Sequence, residues 1–380
     1  MKIVIAPDSF KESMTAAEAA EAINRGIKKV IPDANTVKVP VADGGEGTVQ
    51  ALINATNGKR IQVEVTGPLG NKVNAEYGIL GNGKTAVIEM ASASGLHLVP
   101  FHLRNPLKTT TKGTGELILH AAKKGVKTII IGLGGSATND GGVGMAQALG
   151  VRFLNHKNED IKLGAESLNE IKTIDTSNLA PLIKNITIKA ACDVTNPLIG
   201  RNGASAVFGP QKGASIEDVK QLDSVLTHYA KVIKEHIGID VAYEKGAGAA
   251  GGLGAGLLAF LKTELKQGIE LVLDAIHFDK ILEDADLVIT GEGKIDSQTI
   301  YGKTPIGVAK RAKKKGIPVI ALCGTLGEGY ESVYEYGIDV SLSITNGVTS
   351  IEEALKQGFS NLEKTSEMVA RMLTLKCKLK

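Results

Sequence analysis

The chain has 380 residues, 44 Lys and Arg against 41 Asp and Glu, 43% hydrophobic and 22% charged residues, 45 glycines and no tryptophan. That length suits about two domains with ordinary cores, and the apolar content excludes a disordered chain. A net charge of +3 without a basic tract argues against nucleic acid as the main partner, whereas clustered glycines point to turns and close ligand approach.

The first elements follow α/β grammar. Lys2 to Ala6 reads as a buried strand, Pro7 to Lys11 as a loop, and Thr15 with Glu18 as a capping box opening a helix whose apolar residues recur at Ala16, Ala19, Ala20, Ile23 and Ile27. Asn35 to Val41 alternates like a strand and runs into Asp43-Gly44-Gly45-Glu46-Gly47, followed by a second helix to about Ala55. From Arg60 to Met90 the pattern changes to short β segments divided by Gly-Pro and Gly-Asn turns, the signature of antiparallel hairpins. A helix over 115–124 and a strand over 128–132 come next. After about His277, the strand ADLVIT, a helix over 304–315, the strand PVIAL, a strand over 340–344 and a C-terminal helix restore the alternation. The expected fold is α/β with two domains. A parallel-sheet α/β domain is expected from residues 1–60 plus 280–380, with a second α/β domain, 61–279, inserted into it.

Two famous nucleotide patterns occur and context supports neither. Gly78 to Thr85 fits the spacing GxxxxGK[ST], but Thr85 begins another β run where a phosphate loop needs a helix, so a hairpin turn is expected. Gly246 to Gly251 fits GxGxxG, yet the preceding strand is weak and the next acid is Glu264, which argues against a dinucleotide site. For this segment two readings stand: close packing of a small-residue helix, or backbone N–H groups lining a phosphate cleft.

Three less familiar glycine clusters directly follow apolar strands. They are Asp43 to Thr48, Gly132 to Gly142 and Gly291 to Thr299. Phosphoryl transfer needs cations or N–H groups for phosphate oxygens, carboxylates for Mg²⁺ and an orienting group for the acceptor. Lys11, Lys212 and Lys303 lie in loops, and Asp8, Asp43, Asp140, Asp193 and Asp296 end or follow strands. A helix N-cap is the ordinary alternative for each acid, most of all for Asp8 and Asp33. The region from Ala190 to Ala214 is dense in polar and backbone-shaping residues. Cys192, Cys323 and Cys377 are too few and too far apart for a disulfide framework or a metal knuckle, and Cys192 reads as a small buried hydrophobe. The histidines show neither zinc nor triad spacing. The short apolar start does not suit a signal peptide, and a cytoplasmic location is expected.

Taken together, PDSFKES (7–13), VADGGEGT (41–48), GTGELI (113–118), GGSATNDGG (134–142), CDVTNPLIG (192–200), FGPQKGA (208–214), GAGAAGGLGAG (246–256), TGEGKIDSQT (290–299) and GKTPIGVA (302–309) resemble the type 1 glycerate kinases of bacteria. One departure is Glu12, where that family more often has Gly. The resemblance implies ATP-dependent phosphorylation of D-glycerate, with ATP and Mg²⁺ as cofactors, two α/β domains, one Rossmann- or flavodoxin-like and one inserted, with the site between them, and the 2-phosphate favoured over the 3-phosphate. Under it, Lys11 and Lys212 neutralise the glycerate carboxylate or the phosphoryl group, and Asp43 or Asp193 orients or deprotonates the acceptor hydroxyl. Glu292 and Asp296 hold Mg²⁺. Gly134, Gly135, Ser136, Asn139 and Asp140, with Gly248, Gly251 and Gly252, approach ATP. The expected partners are D-glycerate and ATP, with neither nucleic acid nor membrane. The alternatives are a non-catalytic sugar-acid binding protein or an NAD-dependent dehydrogenase of α/β fold.

Overall fold

A computed structural model of the chain describes residues 1–45, 47–345 and 347–375, so that Glu46 and Cys377 lie outside the described residues. In chain order the strands are β1 (Lys2–Pro7), β2 (Asn35–Lys38), β3 (Lys59–Thr66), β4 (Lys72–Ile79), β5 (Thr85–Glu89), β6 (Thr128–Gly132), β7 (Arg152–Leu154), β8 (Thr173–Asp175), β9 (Thr187–Ala191), β10 (Glu264–Lys266), β11 (Leu287–Ile295), β12 (Val319–Leu326) and β13 (Val340–Ser343). The chain divides into two compact units, one of Met1–Asp43 with Ile269–Lys380 and one of Gly44–Gly268.

The first unit is a five-stranded sheet in the order β13-β12-β11-β1-β2, parallel throughout. Numbered within the unit, that is 2-1-3-4-5, the flavodoxin-like order. Alternation along the strands sends Ile3, Ile5, Leu287 and Ile289 into one core with Ala19, Ile23, Ile27, Leu362 and Val369. The helix Ala16–Val30 begins with the expected box: Thr15 caps the Glu18 N–H and Glu18 returns a bond to the Thr15 N–H. It lies so close to the helix Gly358–Leu373 that a Cβ on Gly26 would collide with the Glu363 carbonyl.

The second unit carries a six-stranded mixed sheet, β10-β9-β6-β5-β4-β3. β3, β4 and β5 run antiparallel as the turn-rich sequence implies, and β5, β6, β9 and β10 are parallel. Residues Leu80 to Lys84 are the turn between β4 and β5, so the Gly78–Thr85 pattern is a hairpin. The helix Thr48–Thr56 packs on this sheet, with Val49 and Ile53 beside Gly78. It therefore belongs to the second unit, and the boundaries fall at 43/44 and 268/269 where the sequence had suggested 60/61 and 279/280. The polar helical surface of 48–56 looks like the closing half of a βαβ unit; only its packing shows which sheet it covers.

Replacing Gly26 with Ala should lower stability by roughly 1–3 kcal/mol, the usual cost of overpacking a close contact. Urea denaturation would read it, and an unchanged midpoint would mean that the two helices can part freely.

Candidate active site

In the first unit the site begins where β1 meets β11. Pro7 is in register with Gly291, and the Asp8 N–H donates to the Gly291 carbonyl at 2.8 Å. This is where the strand order reverses, and in open α/β sheets ligands bind outside the carboxyl ends of the strands at that switch point. Asp8 and Glu292, 284 residues apart in sequence, stand next to each other in this edge. Asp8 is not an N-cap, because Thr15 caps the following helix; nor does Asp33 precede a helix, since β2 comes next. Instead, the Asp8 carboxylate accepts the Ser9 N–H at 2.6 Å and the Thr304 hydroxyl at 2.5 Å. The sequence contained a hint of this, an acid directly after an apolar strand.

Glu292 is 9% exposed and accepts the Thr299 hydroxyl at 2.9 Å. Burial pushes it up to about 7, against the pull of Lys303 and the Thr299 hydrogen bond and with the help of Asp8 and Asp43. Burial also pushes Asp8 up to about 6, opposed by Thr304 and reinforced by Asp43. The three carboxylates thus share an excess of negative charge. Lys303 Nζ lies 3.8 Å from Glu292 and 4.0 Å from Asp296. Asp296 differs: burial works against its charge, but bonds from Lys294 and the Gln298 N–H, with Lys303 nearby, hold it below the ordinary range. Lys11 is exposed in the turn after Phe10, and its backbone lies beside Gly293. In that turn Glu12 has φ 64°, so the position where the family more often has Gly is one that needs left-handed backbone.

In the second unit the candidate residues lie on the loop after β6. Gly134 and Gly135 are exposed, and Gly135 has φ 73°. Behind them the loop is buried. Asp140 accepts the Thr111 N–H at 2.8 Å, the Thr111 hydroxyl at 2.9 Å and the Gly142 and Gly144 N–H groups. Burial raises its carboxyl while these bonds lower it, and the net direction is upward. Asn139 donates to the Ser205 hydroxyl at 3.0 Å. Lys212 is 2% exposed, so it reaches no solvent as an ordinary substrate-facing lysine would; its Nζ donates to Ser136 Oγ and to the Thr138 carbonyl, both at 2.7 Å. Asn139, Asp140 and Lys212 therefore shape this loop from inside, and the exposed members are Gly134 and Gly135.

Gly248, Gly251 and Gly252 are buried around the chain's own backbone. A Cβ on Gly248 would collide with the Pro197 carbonyl, on Gly251 with the Thr138 carbonyl, and on Gly252 with Leu198 and Gly141. The helix Ala249–Leu261 carries a left-handed kink at Ala250, Gly251 and Gly252, and the Gly251 carbonyl accepts the Gly141 N–H at 3.1 Å. This matches the close-packing reading of the segment. No strand precedes it, so a dinucleotide-binding unit has no place there. Asp193 is exposed and accepts the Gly268 N–H at 3.0 Å. Cys192 is half-buried and donates to the Val194 carbonyl, and burial raises its thiol; Cys323 is buried and pushed up to about 12. Among the described residues no three His, Cys, Asp or Glu side chains are grouped as a metal cage, and no helix is long and apolar enough to cross a membrane.

Proteins of known name match this chain from end to end. A model of the glycerate kinase family matches residues 3–374. The chain is 57% identical to a glycerate kinase of Halalkalibacterium halodurans over 97% of each chain, and 54% identical to the glycerate 2-kinase of Escherichia coli over 99% of this chain and 98% of that protein. A crystal structure from Salmonella typhimurium LT2 assigned to glycerate kinase 2 superposes with a TM-score of 0.90 at 51% identity, covering all of both chains. Similarity of this extent defines the class as a kinase that phosphorylates an alcohol group. The chain belongs to the glycerate kinase family.

The raised Glu292 gives a signed test. A carboxyl with a folded pKa above its unfolded value favours the folded state most at low pH, and that contribution is lost as pH rises from about 4.5 through about 7. E292Q should therefore be more stable than the parent by roughly 1–3 kcal/mol at pH 8 and gain nothing at pH 4.5. Urea midpoints of the two proteins at both pH values check this, and equal differences at both would contradict it.

Proposed function

We propose that this chain transfers the γ-phosphoryl group of ATP to D-glycerate and releases ADP and phosphoglycerate, with the 2-phosphate favoured. The observation that carries the reading is identity above 50% over whole chains with proteins named glycerate kinase, one of them a glycerate 2-kinase. Glycerate has an anionic carboxylate and two hydroxyls, and ATP brings further negative charge. The chain's own groups are matched to these needs.

Hard carboxylate oxygens with crowded negative charge suit a magnesium ion, which retains waters and phosphate oxygens and so requires only one or two protein carboxylates. Glu292 and Asp8 fit this role, and Asp8 replaces Asp296, whose carboxylate is already engaged by Lys294 and the Gln298 N–H. The metal would neutralise charge on the transferring phosphoryl group. Lys303 beside Glu292 and the exposed Lys11 offer cations for anionic oxygens. The N–H groups of Gly134 and Gly135 are proposed to approach the nucleotide phosphates, because they lack side chains and stand exposed on a loop braced from behind. Asp43 or Asp193 orients the acceptor hydroxyl or takes its proton. A cytoplasmic location is part of the same proposal and suits the free thiols Cys192 and Cys323.

Purified protein incubated with ATP, Mg²⁺ and D-glycerate should release ADP, and phosphorus NMR should find the phosphate on C2. ATP turnover that does not depend on glycerate, or no turnover at all, would defeat the reading. D193N should lower kcat about a hundredfold or more while leaving the melting temperature within a few degrees. A near-parental kcat would remove Asp193 from the site and leave Asp43.

A further inference from the structure

Lys212 is the most deeply buried cation in the described chain, and its surroundings give it direction. It comes from the turn Pro210–Lys212, is 2% exposed, and donates to two neutral oxygens of the glycine loop, Ser136 Oγ and the Thr138 carbonyl. Among the described residues it forms no ion pair. Asp140, the acid whose charge it feels, is occupied by donors from Thr111, Gly142 and Gly144. A buried ammonium without a direct counter-ion is costly unless an anion arrives.

The donor and acceptor assignment at Ser136 follows from the chemistry of lysine. Burial pushes Lys212 down to about 7 against the pull of Asp140, and an anion at the loop favours its charged form; that ammonium has three donors and no acceptor, so in the Lys212–Ser136 contact the serine oxygen then accepts. The Ser136 O–H is then left to donate, and among the described residues it finds no acceptor. Ser136 is 8% exposed and directly follows the exposed Gly134 and Gly135. Its hydroxyl stands beside the N–H groups of Gly134, Gly135 and Ser136 itself, for which no acceptor is found among the described residues.

We propose that Lys212 is a positioning residue that acts through Ser136. It fixes Ser136 Oγ as an acceptor, so that the Ser136 hydroxyl donates to an anionic phosphate oxygen of the nucleotide. The buried charge reaches the ligand through that polarised hydroxyl and not by contact. The inference rests on the reading above that the Gly134–Ser136 loop receives nucleotide phosphate. It also changes the role the sequence suggested for Lys212, from a cation touching substrate to one held behind the loop.

The test uses the full chain and the variants S136A, K212M and S136A/K212M, with folding checked by near-ultraviolet circular dichroism. Each single variant should raise the KM for ATP about tenfold with the KM for D-glycerate changed less than twofold. The double variant should be no worse than K212M alone. Multiplying effects in the double variant would overturn the relay, as would a K212M effect confined to the KM for glycerate, which would mean direct contact with the acceptor. If K212M does not fold, S136T decides: near-parental KM for ATP supports the proposal, and a value equal to that of S136A overturns it. A failure of the loop reading is distinguishable, because then S136A leaves the KM for ATP unchanged while glycerate-dependent ADP release persists.

Discussion

The hydrogen bond from the Asp8 N–H to the Gly291 carbonyl is the last rung between β1 and β11, and the first unit's chemistry depends on it. Parallel pairing in this register brings the end of a strand near the N-terminus beside one near residue 290. Because the order of strands reverses between them, no crossover helix covers that edge. Burial raises the pKa of both carboxylates placed there, with Asp43 adding to each and Asp8 adding to Glu292, yet both retain hydroxyl partners, Thr304 for Asp8 and Thr299 for Glu292. Those threonines come from the segment directly after β11, so one stretch of chain supplies both an acid and the groups that orient the acids.

The second unit solves a different problem, holding a glycine loop in one shape from behind. Part of the constraint is backbone against backbone. Gly251 and Gly252 allow the kinked helix to lie on residues 138–141, and the left-handed turn at 250–252 is what presents the Gly251 carbonyl to the Gly141 N–H. Asp140 gathers five donors from two segments, and Tyr229, also buried, donates to the Gly141 carbonyl at 3.1 Å. A loop fixed so thoroughly from within need not reorganise when a ligand arrives, and preorganised donors are worth most in such a setting.

Much of this was legible in the sequence for identifiable reasons. The Thr15–Glu18 box is a local signal and appears as read, and Thr85 opening a β run was enough to turn a phosphate-loop pattern into a hairpin. What was not legible depends on long-range packing. Asp8 resembled an N-cap because nothing local shows that Phe10 to Met14 forms its own turn before the helix begins. The helix 48–56 could have covered either sheet. Lys212 stood out as a loop cation, but its burial is decided by residues 76 positions away. The need for left-handed backbone at Glu12 was visible only as a departure from the family pattern.

The two units hold opposite excesses of charge. In the first, Asp8, Asp43 and Glu292 crowd negative charge with Lys303 as partial relief; in the second, Lys212 is a positive charge enclosed by neutral oxygens. Either arrangement alone would be a defect in a protein selected only for stability, since a hydrophobic replacement is usually neutral or better. A cation bound at the first unit's carboxylates would relieve the one, and an anion bound near the second unit's loop would favour the charged Lys212. Charge left unsatisfied in the free protein is then a reserve of interaction realised on binding. The same charges make the folded chain less stable at neutral pH than its cores would allow, which is the expected relation between a working site and the fold that carries it.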